Sequence, residues 1–272
     1  MLDTSVAAPF YLPSGDEVEL FRTAFEQRIP VLLKGPTGCG KTRFVEYMAW
    51  ETRNQRTDPA SAELVTITCH DDLTTADLVG RHLLSPDGTT WQDGPLTRAV
   101  RGGNLCYLDE VVEARKDTTV VLHSLTDHRR MLPVERLGET IQAHPDFLLV
   151  VSYNPGYQAS SKDLKPSTRQ RFLAIEFDYP AEELEAEVIA HEAGADGPTA
   201  AAFAHLGSRL RRLDEADVLD GPSTRLLVYA ASLVTRGVAP LRACDVAVVQ
   251  ATSDDRDVQA AVRTVAEAVF AA

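Results

Sequence analysis

The chain is short of positive charge. Its 27 Lys and Arg stand against 40 Asp and Glu, for a formal net charge of −13. Non-specific binding to nucleic acid needs cations against phosphates, so this balance argues against a nucleic-acid partner. Long apolar runs are also missing. None approaches the ~20 residues that span a bilayer, so no membrane insertion is expected. Met1-Leu2-Asp3-Thr4 has neither the basic start nor the apolar core of a signal peptide. The four cysteines, Cys39, Cys69, Cys106 and Cys244, are scattered and form no C-x-x-C pair, which argues against a zinc site and a disulfide framework. A reduced, cytoplasmic protein is the resulting expectation. There is no internal repeat and no low-complexity segment. The 272 residues suffice for one large domain or for a core domain with a small one attached.

Gly35-Pro36-Thr37-Gly38-Cys39-Gly40-Lys41-Thr42 matches G-x-x-x-x-G-K-[ST], the P-loop. The backbone N–H groups of such a loop wrap the phosphates of a nucleotide. Lys41 can reach the β- and γ-phosphates, and the Thr42 hydroxyl can ligate Mg²⁺. The motif needs strand–loop–helix context, because the helix N-terminus then points its dipole at the phosphate. Residues 29–34 read as a short buried strand and residues 43–50 as a helix, so the context is met.

Up to about Pro180, short apolar strands alternate with amphipathic stretches. Val31–Leu33, Leu64–Thr68, Leu105–Leu108, Phe147–Ser152 and Leu173–Phe177 are the expected strands. Several are continuous apolar runs, as a parallel sheet covered on both faces requires. This is the α/β pattern. Beyond Tyr179-Pro180 the segments Ala181–Ala193, Thr199–Leu213, Ser223–Thr235, Leu241–Ala251 and Asp257–Phe270 read as helices. The expected organisation is therefore an α/β nucleotide-binding domain, 1–180, and a small all-helical domain, 181–272. Two β-hairpins are expected to project from the α/β body, one over residues 81–92 with its turn at Ser85-Pro86-Asp87-Gly88, the other over residues 130–143.

Asn104–Leu108 is an apolar strand ending in Asp109 and Glu110. Beside a P-loop, the first carboxylate at a strand end can hold Mg²⁺ and the second can orient and deprotonate an attacking water. Leu148–Ser152 leads to Asn154, which can hydrogen-bond a γ-phosphate or the lytic water. Arg169 and Arg171 precede the last strand, and either could stabilise transition-state charge in a neighbouring subunit. Ser223 or Thr224 can cap a helix whose first turn carries Arg225; a cation there opposes the helix dipole and suggests another task, such as reaching the nucleotide. Cys69-His70-Asp71-Asp72 looks like a metal cluster but reads better as acids preceding a helix at Thr75–Val79. The charge run 113–117 reads as a solvated face, and Trp91 as a packing or pore contact.

P-loop, Asp-Glu strand end, strand-terminal Asn, Arg pair and late helical Arg, in that order, resemble the AAA+ ATPases, and the two hairpins resemble the MoxR branch. Longer stretches narrow this further. LKGPTGCGKTRFVEYMAW (33–50), DGPLTR (93–98), YLDEVVEARKDTT (107–119), LTDHRR (125–130), SYNPGYQ (152–158), KDLKPSTRQRF (162–172) and GPSTRLL (221–227) are similar to the CbbQ/NorQ/NirQ family. The resemblance implies a P-loop AAA+ core with a helical lid, an ATPase that forms a homo-hexamer ring, and a partner carrying a von Willebrand factor A domain. It implies Lys41 and Thr42 as Walker A, Asp109 and Glu110 as Walker B, Asn154 as sensor 1, Arg225 as sensor 2, and Arg171 or Arg169 as the arginine finger. In one branch such a motor reactivates Rubisco by releasing inhibitory sugar phosphates; in the other it activates nitric oxide reductase. Rubisco activation is the reading taken, with the reductase as its alternative. Outside this class stand a nucleotide-gated scaffold, a nucleic-acid translocase and a small-molecule kinase. Two departures from the family pattern, Ser124 for Pro and Pro222 for a small residue, do not touch the ATP chemistry.

Overall fold

The computed structural model describes residues 7–58, 62–86, 88–155, 164–214 and 221–271. The expected N-terminal tetrapeptide, Asp87 of the first turn, residues 156–158 and 162–163 of the longer stretches lie outside them. The described residues fall into two compact units. The first comprises the chain up to Pro36 and Lys41–Phe177; the second comprises Thr37–Gly40 and the chain from Asp178 onward.

In the first unit, α1 (Glu17–Gln27) precedes β1 (Val31–Lys34), and α2 (Lys41–Glu51) follows the P-loop. Then come β2 (Leu64–Thr68), α3 (Thr75–Val79), β3 (Gly80–Ser85), β4 (Gly88–Asp93), α4 (Pro95–Gly102) and β5 (Leu105–Asp109). The unit closes with α5 (Lys116–Val120), β6 (Met131–Val134), β7 (Glu139–Gln142), β8 (Leu148–Tyr153), α6 (Pro166–Arg169) and β9 (Leu173–Glu176). Five strands pair in parallel in the order β2-β5-β8-β1-β9. The expected α/β class is therefore borne out. The apolar runs form the sheet's interior because both faces are covered: all six residues of β8 are buried, as are Leu105 to Leu108. Leu32, Leu78, Leu96, Val100, Leu108 and Val151 belong to one core. Both expected hairpins are present, β3–β4 and β6–β7. Leu84 near the tip of the first is 89% exposed.

Local chemistry starts and stops these elements. Thr74 accepts a hydrogen bond from the Asp77 N–H while Asp77 accepts from the Thr74 N–H, a reciprocal cap that opens α3. Thr74 is thus the N-cap, with Asp77 as its reciprocal partner in the first turn. Pro95 occupies the first turn of α4, where its missing N–H costs nothing.

The second unit is helical: α7 (Glu182–Ala193), α8 (Gly197–Asp214), α9 (Thr224–Val234), α10 (Pro240–Cys244), α11 (Gln250–Thr252) and α12 (Arg256–Phe270). The expected helix over 241–251 is present, and Asp245–Val249 forms a π-helical segment within it, between α10 and α11. In α12 the residues Val258, Val262, Val265, Ala266 and Val269 repeat at helical spacing and belong to one core with Phe203 of α8, against which α12 packs. A buried ion pair lies under this core. Glu185, fully buried, accepts from Arg211 Nη1 at 2.8 Å and Nη2 at 2.6 Å, and from the Thr224 hydroxyl at 2.6 Å. Removing one member of such a pair strands the other charge in low dielectric. Glu185→Gln is therefore expected to lower the stability of this unit by about 3–5 kcal/mol. Chemical denaturation followed by circular dichroism measures it, and an unchanged midpoint and slope would show that Arg211 is compensated elsewhere.

Candidate active site

The parallel order brings the carboxyl ends of β5, β8 and β1 side by side, with β8 in the middle. Ligands of open α/β sheets bind beyond the carboxyl ends of their strands. Three of the expected elements start there. The P-loop leaves β1 after Lys34, Asp109 ends β5, and Asn154, half-buried, directly follows β8.

The P-loop's glycines serve distinct purposes. A Cβ at Gly35 would lie 2.3 Å from the carbonyl oxygen of Phe177, so this position is glycine because the last strand's end passes against it. Gly40 has φ +102 with open space around it, so backbone conformation alone requires glycine there. Lys41 Nζ donates to the carbonyls of Gly35 at 2.8 Å and Pro36 at 2.7 Å, which curls the ammonium over the loop's own mouth. Thr42 lies in the first turn of α2. Pro36 and Thr37 complete the loop, and the Cys39 side chain is buried. The loop tip, Thr37–Gly40, groups with the helical unit. Within that unit the Tyr179 hydroxyl donates to the Thr37 carbonyl at 3.1 Å, and a Cβ at Gly38 would lie 2.5 Å from the Ser223 Cβ.

At the acidic strand end, Asp109 Oδ1 accepts two hydroxyl hydrogen bonds, from Tyr107 at 2.7 Å and from Ser152 at 2.5 Å. The Ser152 hydroxyl in turn accepts the Glu110 N–H at 3.1 Å. The P-loop helix α2 packs against β5. Burial pushes the Tyr107 phenol well above its ordinary pKa, so it remains a hydrogen-bond donor. Glu110 has φ +55, a left-handed conformation uncommon outside glycine, and its side chain is exposed. Burial, with Asp109 and Glu110 near, pushes the Cys69 thiol up to about 12 and keeps it neutral.

The two arginines of the pair part company. Arg169 is exposed, whereas Arg171 is half-buried and donates from Nη1 to the His123 carbonyl at 3.2 Å. Burial, together with the Arg171 and Lys165 cations, holds the His123 imidazole below its usual pKa. Arg171 lines a cleft of about 630 Å³ shared with Trp91, His123, Arg129 and Pro133, and no P-loop residue borders it. In the second unit Arg225 stands exposed in the first turn of α9. Neither expected cap forms there. Ser223 holds the N-cap position without a side-chain bond, and the Thr224 hydroxyl goes to Glu185 instead. Arg211 then holds the turn from outside the helix, donating from Nε to the Pro222 carbonyl at 3.0 Å and lying 4.0 Å over the Tyr179 ring.

Ser152, Tyr107 and Arg211 were not among the residues expected from the sequence. Ser152 alone had a visible signal, a hydroxyl in an otherwise apolar strand two positions before Asn154.

With this geometry in place, residues 30–172 match the family model of the AAA domain, dynein-related subfamily, and residues 185–269 match that of the CbbQ/NirQ/NorQ C-terminal region. The chain belongs to the CbbQ/NirQ/NorQ family. It is 56% identical over 263 residues to the protein CbbQ of Hydrogenophilus thermoluteolus, covering 97% of this chain and 96% of that one. It is 54% identical to the protein NorQ of Paracoccus denitrificans, over 98% of this chain and 96% of the relative. It is 56% identical to the denitrification regulatory protein NirQ of Pseudomonas aeruginosa, over 92% and 93%. Among solved structures, a RuvB mutant of Thermotoga maritima aligns with a TM-score of 0.52 at 19% identity, over 92% of this chain and 68% of that one. That likeness concerns the fold. The CbbQ/NirQ/NorQ chain described here is a MoxR-type AAA+ ATPase and binds nucleotide. No helix among its described residues is long and apolar enough to cross a membrane.

Proposed function

We propose that this ATPase is the motor of a homo-hexameric ring that works with a partner carrying a von Willebrand factor A domain, and that its client is Rubisco, from which it drives release of inhibitory sugar phosphates. The observation that carries the motor reading is the hydroxyl-bound Asp109-Glu110 pair at the end of β5, the strand against which the P-loop helix packs. The client reading is supported by the 56% identity to CbbQ over nearly the whole of both chains. Nitric oxide reductase is the second reading, supported by the 54% identity to NorQ over a comparable span.

The residues fit Mg²⁺. The Asp109 carboxylate at the end of β5 and the Thr42 hydroxyl on the helix packed against that strand form a hard oxygen donor set, which suits this ion. Asp109 and Thr42 would hold it, and when bound it supplies charge neutralisation on the β- and γ-phosphates. Within this reading, the P-loop amides of Thr37 to Gly40 and the Lys41 ammonium bind the phosphates of ATP. Glu110 takes the proton of the attacking water. Asn154 orients that water or the γ-phosphate from the neighbouring strand end. Arg225 contacts the phosphates from the helical unit, which also contains the loop tip. Arg171 serves as the arginine finger toward the next subunit, in preference to Arg169, because its anchor on the His123 carbonyl gives the guanidinium a fixed base. Phosphoryl transfer to water requires positioning and charge stabilisation more than covalent chemistry, and these groups supply both.

The testing experiment is ATP turnover of the purified protein with and without its A-domain partner, with inhibited Rubisco present. Turnover with recovery of carboxylation is expected. Turnover without recovery, repeated with recovery of an inactive nitric oxide reductase, would move the client to the second reading. A protein that binds nucleotide without turning it over would leave only the nucleotide-gated scaffold.

A further inference from the structure

One hydroxyl in this site has two partners of different function. Ser152 is fully buried on β8, the strand between the acid-bearing β5 and the P-loop strand β1. The register sets Leu33 opposite it on β1 and pairs the neighbouring Val151 with Leu108 on β5. Its single hydrogen goes to Asp109 Oδ1, and its oxygen accepts the Glu110 N–H. Tyr107 donates to the same Asp109 oxygen.

We propose that Ser152 is a positioning residue for hydrolysis, whose one hydroxyl both aims the Asp109 carboxylate and fixes the backbone at Glu110, while Tyr107 aims Asp109 alone. This rests on the roles proposed above for Asp109 and Glu110. The physical reason is economy of partners. A left-handed backbone at a residue other than glycine persists only where its surroundings hold it, and the Glu110 amide is held by this hydroxyl. A carboxylate whose Oδ1 is saturated by two donors presents Oδ2 outward in a fixed direction, and such outer partners tune the affinity of the metal ligand they orient.

The two hydroxyls make separable predictions. Tyr107→Phe is expected to raise the Mg²⁺ concentration for half-maximal turnover several-fold, by about tenfold at most, and to leave kcat at saturating Mg²⁺ within about twofold. Ser152→Ala is expected to produce the same Mg²⁺ shift and, in addition, to lower kcat by about tenfold at saturating Mg²⁺, because the Glu110 amide loses its acceptor. A second readout does not depend on turnover: binding of a fluorescent ADP analogue, titrated with Mg²⁺, should show the Mg²⁺ shift in both variants and unchanged affinity without Mg²⁺, which also reports that they fold. Ser152→Thr, which keeps the hydroxyl, should restore kcat to within a few-fold of the starting protein. If Ser152→Ala does not fold, Tyr107→Phe and Ser152→Thr decide the matter. An unchanged Mg²⁺ dependence in Tyr107→Phe, or a kcat unchanged in Ser152→Ala, overturns the proposal. Glu110→Gln serves as the control: if it turns over normally, the underlying role of Glu110 fails, whereas an inactive Glu110→Gln beside two hydroxyl variants that match the starting protein sinks this inference alone.

Discussion

Glu110→Gln is expected to cut ATP turnover by about a thousandfold while nucleotide binding survives. The substitution preserves the side chain's length and the backbone N–H that bonds to Ser152, so the left-handed turn at φ +55 should persist. Only the basicity of the side chain is lost. A general base contributes about 10²–10⁴ when it is positioned against the proton it takes, and Glu110 sits at the strand end beside Asp109 with its side chain exposed. The binding groups, Lys41 and the loop amides, belong to a different segment and are untouched. Phosphate release and equilibrium binding of a fluorescent nucleotide, measured on the same preparation, separate the two effects. Turnover retained within about tenfold of the starting protein would remove Glu110 from the base role. Loss of binding along with turnover would mean that the Asp109-Glu110 turn itself had collapsed.

The parts of this site legible in the sequence are those written in contiguous residues. The P-loop is an octet, the acid pair closes an apolar run, and Asn154 stands just beyond another. The sheet was legible for the same reason, since strands buried on both faces are short unbroken apolar runs. What could not be read is pairing across the sheet. Ser152 and Asp109 are far apart in the chain and meet only because β8 lies between β5 and β1, and the register that sets a hydroxyl opposite a carboxylate leaves no local mark. The same holds for Glu185 and Arg211, which look like surface charges on separate helices and form a buried pair. In α9 the local rule was overridden: Thr224 has the right chemistry for a cap, but the buried Glu185 carboxylate is the stronger acceptor for its hydroxyl. The π-helical segment at Asp245–Val249 lies within an otherwise α-helical run, Pro240–Thr252. We have no sequence-level account of it. Arg169 and Arg171 are chemically identical, and only their surroundings separate them, one exposed and one held at the His123 carbonyl.

That separation leads to the second large effect. Arg171→Ala is expected to lower hydrolysis by about 10³–10⁵ without weakening nucleotide binding, whereas Arg169→Ala should stay within a few-fold of the starting protein. An arginine finger acts on charge that develops in the transition state, so its loss falls on kcat rather than on ground-state affinity. The His123 carbonyl fixes only part of the guanidinium, and the remaining donors of its fork can serve a phosphate. A finger supplied to the neighbouring subunit also makes a prediction that no effect within one chain can mimic. An Arg171→Ala chain keeps an intact P-loop, and a Lys41→Ala chain keeps an intact finger. Each alone should be inactive. In a ring built from head-to-tail interfaces, mixing them in equal amounts pairs a sound P-loop with a sound finger at roughly a quarter of the interfaces. Turnover should therefore recover on mixing to a corresponding fraction of the starting rate. If Arg171 instead acts on the nucleotide of its own chain, every subunit in the mixture lacks either the finger or the lysine and no activity returns. Recovery would thus establish at once that the site is shared and that hydrolysis is coupled to the subunit interface, which is the step by which an ATPase of this kind can convert turnover into motion against a client.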